Sequence, residues 1–149
     1  MYVTVFSILV SKDYKKFATE YLLTEEGKQI MATLLDGYKD SQIALNCGIM
    51  LRECIRQRCL HEFLLDSPAL IKPLFTEYAL SPTFEVCSDA FSTIKDLLRR
   101  NKQLVSQKMN PNGPLYKEVF SWYSTLICSK EYVTCRMALQ VVFDPRGYV

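Results

Sequence analysis

The sequence predicts an all-α chain, an armadillo/HEAT-like right-handed α-solenoid of about three helical repeats, and three observations carry that prediction. The stretch Leu51-Arg52-Glu53-Cys54-Ile55-Arg56 runs apolar, basic, acidic, apolar, apolar, basic, and the same order returns at Ile94-Lys95-Asp96-Leu97-Leu98-Arg99. The two phrases lie 43 residues apart, inside the roughly 40 to 47 residue period of armadillo and HEAT repeats. Around them the apolar residues recur at steps of four, four and three, which places them on one helix face. No run alternates apolar and polar residues long enough to suggest a sheet, apart from the N-terminal "YVTVF", which fits strand or helix on pattern alone.

The elements follow in order. A first long helix is expected from a cap at Ser41 to about Arg58, with Ile43, Cys47, Leu51 and Cys54 facing the core. A second opens at Pro82-Thr83 and runs to about Arg100, burying Val86, Ala90, Ile94 and Leu97 in the same register. A third begins at Tyr132, where Thr134, Ala138 and Val142 repeat the pattern before Asp144-Pro145 ends it. Shorter helices are expected over Leu60 to Leu65, Pro68 to Ala79, Lys102 to Lys108 and Leu115 to Cys128, separated by the turn signals "DSP" and "NPNGP". The result is one domain over 1–149, with a divergent N-terminal segment over 1–34, repeats near 35–80 and 81–128, and an incomplete one over 129–149.

Composition bounds the function. The chain has 149 residues, 49% of them hydrophobic, enough for one substantial core. A formal charge of +2 and the lack of any long run of like charge argue against a nucleic-acid footprint or a polybasic membrane anchor. The cluster Arg99-Arg100-Asn101-Lys102 reads as a solvated helix end. Cys47, Cys54, Cys59, Cys87, Cys128 and Cys135 form no C-x-x-C pair, and several fall on apolar faces, so they read as free thiols in a reducing compartment. "MYVTVFSILV" is too short to span a bilayer and lacks the marks of a signal peptide, so a cytoplasmic protein is expected.

Chemistry-bearing motifs are scarce. His61 is the single histidine, with no nucleophile motif beside it, and it reads as a packing or surface residue. No Gly-rich phosphate loop or spaced Cys/His zinc set occurs, so neither catalytic residue, cofactor nor metal is expected. The string Lys108-x-Asn110-x-Asn112-Gly113 imitates part of a calcium loop, but a cation holds the first ligand position and Val119 the last, so it reads as a turn.

A second stripe lies away from the core positions. On the second long helix it comprises Phe84, Ser88, Lys95 and Arg99; on the third, Tyr132, Arg136 and Phe143 take the equivalent places. Aromatic and basic residues off the core are the composition of interface anchors. On pattern alone the simpler reading of Phe84 and Tyr132 is as helix-start staples packed on the preceding loop. Arg52 and Arg56 extend the stripe into the first helix, where solvated charges are the simpler reading.

The strings "GYKDSQIALNCGIMLRECIR", "PTFEVCSDAFSTIKDLLRRNK" and "SKEYVTCRM" resemble the mouse protein 25 family, also called calcium-binding protein 39. The resemblance implies a non-catalytic armadillo-like scaffold whose concave face holds a Ste20-related pseudokinase adaptor, the pair activating a liver-type tumour-suppressor kinase, with germinal-centre kinases as further partners. It also implies a partner-facing role for Phe84, Tyr132 and Arg136, to which the stripe adds Ser88 and Lys95. A single copy within a hetero-complex is expected. Departures are visible: Cys135 stands where the family has a lysine, "NPNGP" lengthens a loop, and the sequence stops at "FDPRGYV" where the family continues into a groove for a Trp-Glu-Phe tail. A helical-repeat RNA binder, or a shortened paralogue without a kinase partner, are the alternatives.

Overall fold

The computed structural model describes residues 1–12 and 16–143. Among these, every regular element is helical: α1 (Tyr2–Ser11), α2 (Phe17–Leu22), α3 (Glu25–Asp36), α4 (Ala44–Arg56), α5 (Arg58–Leu65), α6 (Pro68–Thr76), α7 (Phe84–Arg99), α8 (Lys102–Lys108), α9 (Pro114–Ile127) and α10 (Tyr132–Phe143), with 3-10 turns at Gly37–Lys39 and Tyr78–Leu80. Local chemistry explains the boundaries. Thr24 caps α3 by accepting the Gly27 N–H at 3.2 Å, with Glu25 and Glu26 in the first turn beside the positive end of the helix dipole. Pro68 and Pro114 open α6 and α9, where a missing N–H costs nothing.

The helices pack in rows of equivalents. α1, α4, α7 and α10 lie side by side in one row; α3, α6 and α9 form a second; α5 lies between α2 and α8 in a third. Each unit is therefore three consecutive helices, one in each row, and α1–α3 make such a unit ahead of α4–α6. The ambiguous "YVTVF" is helix, because α1 rests along α4 and tertiary packing overrides a β-branched sequence. Between the rows lies one apolar core, in which Leu51, Ile55, Leu60, Leu64, Ile71, Phe75, Ile94 and Leu97 are buried.

Several expected positions move. Ser41 is not a cap: the Asp40 carboxylate accepts the Gln42 N–H at 2.9 Å, the Asp40 carbonyl accepts that of Ala44, and α4 starts only there. Ile43 consequently precedes the helix and is exposed. α4 stops at Arg56 because Gln57 is extended, and α5 begins at Arg58. The segment to Ala79 is α6 followed by a separate 3-10 turn. On α10, Thr134 and Ala138 are buried as expected but Val142 is exposed, and Val141 takes the inward place. A step of three after Ala138 keeps the side chain over the core, whereas a step of four swings it outward. Asp144-Pro145 lie outside the described residues.

The row of long helices is held by a polar cluster that sits where the sequence suggests a solvated charge. Arg52 on α4 is mostly buried and sends Nη2 to Asp89 Oδ1 at 2.8 Å and Nη1 to Thr93 Oγ1 at 2.9 Å, both on α7. Tyr38 completes it, its hydroxyl 2.7 Å from both Asp89 Oδ2 and Thr93 Oγ1. Burial first, then the Asp89 charge, pushes the Tyr38 phenol far above its ordinary range. It therefore stays protonated and donates to Asp89, leaving Thr93 to donate to Tyr38 and accept from Arg52. Gly48 makes the approach possible, since a Cβ there would overlap Asp89 Oδ2 and the Tyr38 hydroxyl. Arg56, by contrast, pairs with Glu53 one turn away on its own helix.

A second device repeats at the joints between units. Gln57, between α4 and α5, donates its side-chain amide to the Val10 carbonyl at the end of α1. Asn101, between α7 and α8, does the same to Ile55 at the end of α4, at 3.3 Å. Each joint so satisfies a carbonyl that the preceding long helix leaves orphaned. The Asn101 amide also reaches His61 Nδ1 at 2.8 Å, and His61 Nε2 lies 2.7 Å from the Leu97 carbonyl. His61 is thus a fully buried packing residue: Nε2–H donates to Leu97, Nδ1 accepts from Asn101, and burial lowers its pKa against the opposing effects of the Leu97 carbonyl and Asp96.

Three outcomes follow from this packing. Ile94→Asp buries an unpaired carboxylate and costs about 3 kcal/mol or more, read as a loss of cooperative urea unfolding at the wild-type midpoint. Arg52→Ala strands Asp89 between α4 and α7 and costs about 3 kcal/mol, whereas Lys39→Ala, which loses only an exposed pair with Asp36, leaves the unfolding midpoint almost where the wild type has it. For His61 the unfolded chain takes up a proton near pH 6.5 while the folded chain resists it to lower pH. Stability is therefore complete above pH 6.5 and declines as pH falls through the window below it, toward the lowered folded pKa. His61→Gln flattens that region of a pH series of unfolding midpoints, and NMR titration of the folded chain places the imidazole below 6.5.

Candidate partner-binding face

The expected site residues sit on two neighbouring long helices. Phe84 is the first residue of α7 and Tyr132 the first of α10; they are 61% and 74% exposed. Neither is buried as a packed staple would be. Arg136, one turn into α10, is exposed, and no carboxylate among the described residues pairs with it. Ser88 and Lys95 are half-buried and share the Phe84 stripe along α7. The side chain of Phe143 lies outside the described residues.

Each presenting helix is anchored on its opposite side. At the start of α7 the Cys87 thiol lies 3.1 Å from the Ala79 carbonyl, and Asp89 and Thr93 are tied to Arg52, which fixes how α7 is rotated. On α10 the Tyr123 hydroxyl of α9 donates to the Ala138 carbonyl. Burial pushes the Tyr123 phenol up to about 12, with nearby Arg99 opposing, so this donor persists across the neutral range. Arg99 sends Nη1 to the Val141 carbonyl at 3.0 Å. It serves the α7–α10 packing and so leaves the stripe in which its spacing places it. Arg52 leaves it too, being committed to Asp89.

The sequence reading missed two apolar residues on the same side of the row. Leu45 and Ile49 are exposed on α4 and occupy the places that Ser88 and Ser92 hold on α7. The repeat spacing of 43 that aligns Leu51 with Ile94 also aligns these, and was the signal available. The face thus runs from apolar on α4 to aromatic and basic on α7 and α10, a composition suited to a protein surface.

Other chemistry is absent from the described residues. No three His, Cys, Asp or Glu side chains gather as a metal site would need. At 110–113 the Asn112 N–H donates to Asn110 Oδ1 at 3.1 Å and the Gly113 N–H to the Asn110 carbonyl at 2.7 Å, a turn ahead of α9. The six cysteines are free thiols, three of them buried. No described helix is long and apolar enough to cross a membrane.

Comparison with known proteins agrees with this architecture. A family model described as Mo25-like matches residues 1–144. The chain is 44% identical over 113 residues to the degreening-related gene dee76 protein of Auxenochlorella protothecoides, covering 76% of this chain and 34% of that protein. Human calcium-binding protein 39-like is likewise 44% identical over 113 residues, covering 76% and 32%. MO25-like protein 2 of Caenorhabditis elegans is 37% identical over 123 residues, covering 83% and 34%. The chain therefore spans about a third of the length of these relatives. With its rows of three-helix units, and a family match that runs from α1 through α10, the chain belongs to the Mo25-like family.

Proposed function

We propose that this chain is a non-catalytic scaffold that binds a serine/threonine kinase or pseudokinase fold in the cytoplasm through the exposed face of α7 and α10. The observation that carries the proposal is the exposure of Phe84 and Tyr132 at the starts of successive long helices, with Arg136 one turn beyond Tyr132, at places that match the family's partner-facing motif. Ser88 and Lys95 continue that face along α7. Ste20-related adaptors and germinal-centre kinases are the partner class that the resemblance supplies.

The mechanism is selective binding. A scaffold without chemistry of its own shifts a kinase equilibrium only by its differential affinity for the active and inactive forms, about 1.4 kcal/mol for each tenfold. A face built from helices locked by Arg52, Tyr123 and Cys87 suits that task, because little order has to be imposed when the partner arrives. Activation of the bound kinase, and with it intracellular signalling, follows if the active form fits this face better.

The double variant Phe84→Ala and Arg136→Ala tests the reading. Both side chains are exposed in the free protein, so the melting temperature shifts by the equivalent of about 0.5 kcal/mol or less. Truncation of two interface anchors costs about 2 kcal/mol or more in binding, and capture of a purified sterile-twenty-type kinase or pseudokinase falls at least about thirtyfold. Unchanged affinity in a folded double variant refutes the assigned face.

A further inference from the structure

Gln57 and Asn101 close equivalent joints, but only the Asn101 joint contains a histidine, His61 being the single one in the chain. The geometry fixes the protons there. His61 Nε2 lies 2.7 Å from the Leu97 carbonyl, which can only accept, so Nε2 carries the hydrogen and Nδ1 is a bare acceptor. The Asn101 group 2.8 Å from Nδ1 is then its NH2, and the second hydrogen of that NH2 serves the Ile55 carbonyl, 3.3 Å away. Asn101 stands at the N-terminal cap of α8 but makes no side-chain bond to that helix, so its amide is committed to the joint.

This arrangement accepts one protonation state of the ring. An imidazolium has two N–H donors and no acceptor, so it meets the Asn101 NH2 donor to donor. Turning the amide over removes the conflict, because Asn101 Oδ1 then accepts from Nδ1–H. The same turn brings Oδ1 to the place of Nδ2, against the Ile55 carbonyl oxygen. Two acceptors then face each other with no hydrogen between them, and a carbonyl at the end of α4 loses its donor. We propose that this joint is an acid-released latch: a proton taken from water by His61 Nδ1 turns the Asn101 amide over and uncaps the end of α4.

Burial disfavours the proton on the ring, the Leu97 carbonyl and then Asp96 of α7 favour it, and the balance places the transition below pH 6.5. The charges on the other helices packed against α5 are engaged elsewhere or exposed. Arg56 of α4 pairs with Glu53, and Lys108 of α8 with Glu62 and Asp66 of α5 itself. Glu20 of α2, Lys72 of α6, Lys102 of α8 and Arg58 at the start of α5 are exposed. Arg52 holds Asp89 in either state of His61, so α7 keeps its rotation while the second unit loosens its hold on the third. The Gln57 joint has no imidazole and stays closed.

Heteronuclear NMR of the full 149-residue chain, titrated downward from neutral pH, tests the latch. The side-chain amide signals of Asn101 move with the midpoint of the His61 ring. At that midpoint the Gln57 N–H, bonded to the Cys54 carbonyl at 3.0 Å at the end of α4, loses about fivefold in exchange protection, as one lost hydrogen bond implies, after correction for intrinsic exchange. The Lys12 N–H, bonded to the Ile8 carbonyl at 2.9 Å at the end of α1, does not respond. His61→Gln abolishes the transition at Gln57, and Asn101→Ala leaves Gln57 poorly protected at every pH. Should His61→Gln not fold, the wild-type titration and Asn101→Ala decide the matter. Asn101 signals that ignore the ring overturn the proposal, as does equal protection of Gln57 in wild type and Asn101→Ala at neutral pH. So does a common loss at Gln57 and Lys12, or a chain that unfolds before the ring takes its proton.

Discussion

The contact between Arg52 and Asp89 is the constraint on which the arrangement of the long helices depends. A buried ion pair is a poor source of net stability, since desolvation offsets most of the attraction. Its effect here is geometric. Asp89 accepts from Arg52 and Tyr38, Thr93 joins the two, and Gly48 leaves the space they need. A slip of α7 by one residue would rotate Asp89 off Arg52 and leave charged groups buried without partners, a cost added to the loss of apolar contact. The rotation of α7 is therefore fixed, and with it the side on which Phe84, Ser88 and Lys95 emerge.

Much of the fold was legible because a repeat writes its periodicity more than once. The four-four-three steps located Val86, Ala90, Ile94 and Leu97 on α7 and Cys47, Leu51 and Cys54 on α4, though not the flanking buried residues such as Phe91 and Ile55, and the turn signals separated the shorter helices. What failed did so for physical reasons. Arg52 occupies an alternating-charge phrase that looks solvated, and its partner lies on another helix, at a distance in sequence that no local pattern spans. Ile43 fails because Asp40 bonds its own neighbourhood and delays the helix. Val142 fails because α10 departs from the step of four after Ala138.

The candidate face was legible in position but not in state. That Phe84 and Tyr132 stand at helix starts follows from the turns before them; whether they pack down or stand free depends on the path of the preceding loops, which composition does not encode. Arg99 shows the converse case, a residue in register with the stripe that is drawn into the packing by a carbonyl of α10. Stripe arguments alone treat such residues alike, although only those without an internal acceptor remain available to a partner.

The joint amides give the stack a direction. Gln57 closes the end of α1 and Asn101 closes the end of α4, in both cases from the later unit back to the earlier. In a quasi-one-dimensional array, where neighbours supply much of each unit's stability, such a bond makes the coupling unequal. Peeling away a C-terminal unit uncaps the helix before it and lets its last turn fray, whereas loosening the N-terminal unit leaves the later helix ends closed. Loss of order thus travels more readily toward the amino terminus, from the helices that present Phe84 and Tyr132 to those before them.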